Sequence, residues 1–166
     1  MSNPKIKFKI KNYGEITAEL YPEKAPVTVE NFLSLVNKGF FEGLIFHRVI
    51  SGFMIQGGGF DESFNQKKAH AIKGEFIANG FMSNDLRHTR GVLSMARTND
   101  PNSASSQFFI MHKDAPHLDA QYAGFGKVIE GIDVVDKIAS VRTFSRGWYD
   151  DVPYDPVVIE KVEVIE

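Results

Sequence analysis

The sequence predicts a mainly β protein, a closed eight-stranded antiparallel barrel capped by two α-helices, and three observations carry that expectation. The chain opens on strict alternation, with Ile6, Phe8 and Ile10 set between Lys5, Lys7, Lys9 and Lys11, the pattern of a strand with one face buried. Further short strand-like runs recur along the chain to a last one at Val157 to Ile165, able to lie beside the first. Only two segments carry helical periodicity, and closing the sheet would remove the edges that an open one exposes.

The elements follow in order. Asn12-Tyr13-Gly14 supplies turn chemistry, and Ile16, Ala18 and Leu20 then alternate with Glu15, Thr17 and Glu19, so the first two strands form a hairpin. Its polar face sets lysines against glutamates, a solvated face of paired charges. Between Pro26 and Gly39, residues Val29, Phe32, Leu33 and Val36 recur at i, i+3, i+4 and i+7, an amphipathic helix with a glycine stop. Strands are expected at Leu44 to Ile50, Phe53 to Gln56, Val92 to Ala96, Gln107 to Met111 and Phe125 to Val128, and a second helix at Ile132 to Ala139. The stretch from Asp61 to Arg90 reads as a long loop with at most one short element.

Composition narrows the function classes. The 166 residues fit one domain spanning 1–166, with no repeat and no linker. A net charge of -2 offers no basic field for nucleic acid. The absence of cysteine removes disulfides, thiol catalysis and thiolate metal sites. No apolar run reaches membrane-spanning length and the lysine-rich start has no signal-peptide character, so a cytoplasmic, monomeric protein is expected. Fourteen phenylalanines against one tryptophan promise an aromatic core.

Two segments gather chemistry. In Phe46-His47-Arg48-Val49-Ile50-Ser51-Gly52-Phe53-Met54-Ile55-Gln56-Gly57-Gly58, Arg48 and Gln56 are an even number of residues apart, with Phe53 and Met54 between them. A guanidinium, an amide and two large apolar groups therefore lie close together, although an exposed arginine above a packed Phe/Met pair explains the pattern equally well. In the second segment, Leu93-Ser94-Met95-Ala96-Arg97-Thr98 leads through a polar loop to Gln107-Phe108-Phe109-Ile110. Adjacent strand aromatics face opposite ways, so one of Phe108 and Phe109 enters the core and the other is free for a surface pocket.

These two runs, with Leu118-Asp119-x-x-Tyr122-x-x-Phe125-Gly126-Lys127-Val128, resemble the signature regions of the cyclophilins, and the similarity extends over essentially the whole chain. The resemblance implies a peptidyl-prolyl cis-trans isomerase that assists folding by acting on proline-containing peptides and unfolded proteins, with no metal, no cofactor and no covalent intermediate. It implies a catalytic Arg48 with Gln56 as amide companion, and a proline pocket of Phe53, Met54, Phe109 and Leu118, Phe53 being counted with Arg48 and Gln56 among the catalytic residues. Ala96, Arg97 and Gln107 match positions that hold the substrate backbone. His117 stands where eukaryotic members have a pocket-rim tryptophan, and Tyr122 where they have a histidine. Both count as substrate-binding positions, and the exchange implies weak cyclosporin binding. Arg97 with Thr98 is similar to bacterial members.

Rival readings fare worse. A Ser/His/Asp hydrolase lacks a G-x-S-x-G elbow. The five histidines, His47, His70, His88, His112 and His117, show no two-ligand helical spacing. Gly57-Gly58-Gly59 lacks the Lys-Ser/Thr that phosphate cradling needs. The remaining alternative is a binding or chaperone module with the same pocket and no turnover, and Arg48 discriminates, since a pure binder has no need of it.

Overall fold

The computed structural model describes residues 3–165. Its main sheet comprises β1 (Lys5–Ile10), β2 (Gly14–Leu20), β3 (Arg48–Ile50), β4 (Met54–Gly57), β5 (Val92–Met95), β6 (Phe108–Met111), β7 (Gly124–Glu130) and β10 (Ile159–Ile165). The eight strands run in the order β10-β1-β2-β7-β5-β6-β4-β3, every neighbouring pair antiparallel. The predicted pairing of first and last strands is present, Phe8 lying opposite Val162. A separate hairpin of β8 (Thr143–Arg146) and β9 (Tyr149–Pro153) was not expected from the sequence.

The sheet curls strongly, but it does not close. β1 and β6 are four places apart in the strand order, yet the rings of Phe8 and Phe108 meet across the interior at 5.4 Å. The edge strands β10 and β3 do not pair with each other. The segment before β3 instead meets the start of β10 and the residues before it, through an isolated bridge between Ile45 and Val158 and hydrogen bonds from Phe46 N to Val157 O (3.0 Å), Gly43 N to Ile159 O (2.8 Å) and Ile159 N to Leu44 O (2.8 Å). The predicted closed barrel is therefore an open, curled half-barrel. Two local facts explain the difference. The run Leu44 to Ile50 yields a strand of only three residues, and β3 lies against β9 of the extra hairpin.

Alternation divides each strand between two environments. Ile6, Phe8, Phe46, Ile55, Leu93, Phe108, Ile110 and Phe125 belong to the interior cluster. Met54, Val92, Phe109, Met111 and Leu118 form a second cluster. Of the adjacent aromatics, Phe108 enters the interior and Phe109 the second cluster. Phe32 from α1 (Pro26–Asn37) completes the interior, its ring 5.4 Å from Phe108 and 4.9 Å from Phe41.

α1 begins with Pro26 in its first turn, where the missing N–H costs nothing. It ends as the sequence indicates, at a Gly39 with φ of 68° whose N–H donates to Val36 O. Its N-terminus has no side-chain cap from Ala25. The buried carboxylate of Glu75 serves instead, accepting from Thr28 N and Thr28 Oγ1 at 2.7 Å each and from Val27 N at 3.2 Å. Glu75→Gln keeps the shape but removes the charge that complements the helix N-terminus, so urea denaturation is expected to show a loss of about 1–2 kcal/mol at unchanged slope. An unaltered midpoint would exclude this long-range cap.

α2 (Ile132–Ala139) has the predicted bounds and lies against β2, β3 and β4. The stretch 61–90 is irregular apart from the 3-10 turn Ile77–Asn79. Among the described residues no helix is long and apolar enough to cross a membrane.

Candidate active site

The tight turn between β3 and β4 sets Arg48 directly opposite Gln56 in the ladder. Arg48 is exposed, and its Nη1 donates to Gln56 Oε1 at 3.3 Å. Gln56 Nε2 in turn donates to Gln107 Oε1 at 3.0 Å. The chain Arg48-Gln56-Gln107 orients the guanidinium from one side only. A Cβ on Gly59 would stand 2.5 Å from Gln107 Nε2, so glycine there leaves room for this amide.

Beside Arg48 opens a cavity of about 120 Å³. Met54, Phe109 and Leu118 are its buried apolar wall, Phe53 and Tyr122 are half-buried, and Ala96 and Arg97 complete the lining together with Arg48 and Gln56. All but two of the predicted site residues thus converge on one hollow. His117 stands outside it on the rim, its ring 5.7 Å from that of Phe53. Gln107 lies behind Gln56 and lines a neighbouring cavity of about 400 Å³ that continues past Ala96 and Arg97 to Thr98 and Ser103.

Arg97 is more constrained than its predicted role suggests. Its Nε and Nη2 donate to Gln121 O at 3.2 and 2.8 Å, and its Nη1 to Thr98 O at 2.8 Å. The guanidinium also lies over the rings of Phe76 (4.8 Å) and Tyr122 (4.7 Å). Its side chain clamps the pocket wall. Tyr122 is held edge-on to Phe109 at 5.8 Å.

A support beneath Phe109 escaped sequence reasoning. His88 is buried, its ring 6.1 Å from that of Phe109, with Nε2 2.8 Å from Ser94 Oγ and Nδ1 3.3 Å from Asp119 Oδ1. Burial holds its pKa below the usual histidine value, against the opposing pull of Asp119. In the neutral ring, Nδ1–H donates to Asp119 and Nε2 accepts the Ser94 hydroxyl. The contacts are those of a Ser-His-Asp hydrolase, yet Ser94 is fully buried and no acyl group can reach it. The trio props the pocket floor. Its members are 6 and 31 residues apart, and no local motif announces them.

The other histidines are dispersed. His112 Nδ1 accepts from Gly52 N at 2.8 Å, which fixes the β3–β4 turn, and His112 Nε2 lies 3.2 Å from Asp136. His47 is buried, and burial together with the adjacent Arg48 charge lowers its pKa to about 4. His70 is exposed. Among the described residues no three His, Asp or Glu side chains gather as a metal site.

The geometry is that of a shallow apolar slot with a permanent cation at its lip, and comparison with known proteins gives it a family. The model of the cyclophilin type peptidyl-prolyl cis-trans isomerases matches residues 5–164. The chain belongs to the cyclophilin family. It is accordingly a peptidyl-prolyl cis-trans isomerase, and among its relatives are the peptidyl-prolyl cis-trans isomerase of Acinetobacter baylyi and isomerase B of Escherichia coli. The first is 49% identical, the match covering 99% of this chain and 87% of that protein. The second is 45% identical, covering 93% and 96%. A crystal structure of a Cryptosporidium parvum cyclophilin superposes with a TM-score of 0.82 at 27% identity, over 99% of this cyclophilin and 98% of the other. A second structure of that protein, with a TM-score of 0.81 and 28% identity over 98% and 99%, was solved in the presence of the dipeptide Ala-Pro.

Proposed function

We propose that this cyclophilin binds the proline of unfolded or flexible polypeptides in the slot formed by Phe53, Met54, Phe109 and Leu118, and accelerates rotation about the preceding bond through Arg48. The X-Pro amide resists rotation because its nitrogen lone pair is delocalised into the carbonyl, with a barrier of about 18–20 kcal/mol. At the twisted transition state that pair returns to nitrogen. A donor placed there stabilises the twisted form more than either planar one, which is what acceleration requires. The observation that carries the proposal is Arg48 itself, exposed at the lip of the slot and engaged only by Gln56 among the described residues. A guanidinium carries five N–H donors in a planar fork and no acceptor, so it can bond Gln56 and still donate to the substrate nitrogen.

Gln56 positions Arg48, and the backbone and walls at Ala96, Arg97 and Gln107 grip the chain flanking the proline. Fixing one side of the bond while desolvating the amide adds to the effect of the single hydrogen bond. Burying one proline ring contributes only about 2 kcal/mol, so affinity is weak and many sequences are served. The reaction is non-covalent and uses no metal or cofactor. The same reading takes residues 1–166 as one domain acting as a cytoplasmic monomer.

Exchange NMR on a short Ala-Pro peptide tests this directly. Cis-trans exchange faster than the uncatalysed tens of seconds is expected at substoichiometric protein. Binding without faster exchange would instead assign the slot to a chaperone module. His117 and Tyr122 at the rim further imply weak cyclosporin binding, and a nanomolar dissociation constant by calorimetry would overturn that expectation.

A further inference from the structure

The hairpin that the sequence did not announce borders the candidate active site. Its tip, with Trp148, Tyr149, Asp150 and Asp151, forms one side of a cavity of about 370 Å³ whose other side includes Arg48 and Gln56. This space therefore adjoins the prolyl slot through the two residues assigned to catalysis. Trp148 is 99% exposed, so no packing within the fold accounts for it. The tip is nevertheless anchored: Tyr149 meets the rings of Phe60 at 5.3 Å and Phe64 at 5.2 Å, and Arg146 is held over Phe64 at 4.6 Å.

The charges and polar atoms of this cavity are incompletely matched. Asp150 and Asp151 face a single lining cation, Arg48, which is tied to Gln56. Asp150 accepts from Ser145 Oγ at 2.8 Å, whereas Asp151 has no side-chain partner among the described residues. His47 also lines the cavity. It is only 4% exposed, and its Nδ1, which has no hydrogen-bond partner among the described residues, is buried beneath the cavity wall out of a ligand's reach. An exposed indole and a free carboxylate on one cavity wall suit an aliphatic chain ending in a cation, whose stem lies on the ring while its N–H groups donate to the carboxylate.

We infer that this cavity is a subsite for a lysine or arginine side chain of the substrate within a few residues of the proline, with Trp148 as its aromatic wall and Asp151 as its counter-charge. The inference rests on the isomerase reading and adds a substrate preference to it. A cation over an exposed ring and an exposed ion pair each contribute modestly, so the expected preference for lysine over glutamate is about fivefold in kcat/KM.

The test uses alanine-based peptides around one Ala-Pro bond, with lysine, norleucine, phenylalanine or glutamate scanned through three positions on either side. Exchange rates are measured for wild type, Trp148→Ala and Asp151→Asn. Both variants keep the fold: Trp148 is fully exposed, and asparagine tolerates the φ of 61° at Asp151. Wild type is expected to favour lysine at one or more positions, and each variant to bring the lysine-to-glutamate ratio towards one. Norleucine or phenylalanine equal to lysine at every position would make the shelf merely apolar and overturn the inference, as would a ratio that either variant leaves in place. Absence of acceleration on every peptide, the all-alanine one included, would instead remove the isomerase reading and this subsite with it.

Discussion

Arg48→Ala is expected to lower kcat/KM for an Ala-Pro peptide by around a hundredfold, the equivalent of one charge-assisted hydrogen bond of about 1.5–3 kcal/mol made only at the twisted geometry. Stability should move by less than about 0.5 kcal/mol, because the side chain is exposed and makes one hydrogen bond, to Gln56. Arg48→Lys separates charge from geometry. An ammonium keeps the cation but loses the planar fork that meets Gln56 and the substrate together, so only part of the rate should return. Exchange NMR reads all three proteins on one peptide. Equal rates for wild type and Arg48→Ala would leave binding as the function of the slot.

The second large effect separates two neighbours in the chain. Phe108→Ala is expected to destabilise the fold by about 3–5 kcal/mol, because its ring is fully buried and touches those of Phe8, Phe32, Phe41 and Phe46. Urea denaturation measures this. Phe109→Ala, on the opposite face, also removes a buried ring and so costs stability, but in addition should raise KM about tenfold through loss of the surface on which the proline ring rests. A similar stability loss for both variants with unchanged KM would place Phe109 in the structural core and not in the slot.

These two residues also show what the sequence makes legible. Period-two alternation reports faces faithfully, since a strand with one side buried must write that side every second residue. It placed the first hairpin, the Phe108/Phe109 split and the last strand beside the first. Alternation carries no information about edges. Closure depends on whether β3 meets β10, and the three residues of β3 lie against a hairpin whose first strand, Thr143–Arg146, is exposed or half-buried throughout. A segment that buries so little leaves no apolar stripe to read. Arg48 and Gln56 were legible as an even spacing, and their register pairing follows from the short turn between them. The supports were not. Glu75 reaches 47 residues back to Thr28, and His88 reaches 31 forward to Asp119. Contacts at such range depend on the completed fold.

The slot is a shallow hollow outside the aromatic interior, with further cavities adjoining it at Gln56. Neither end of a client has to be threaded into an enclosed chamber. A proline in the middle of a long chain can therefore be engaged as readily as one near a terminus, provided that its neighbours can lie extended along the surface. Reach is limited by how far the client has unravelled locally, whatever its length.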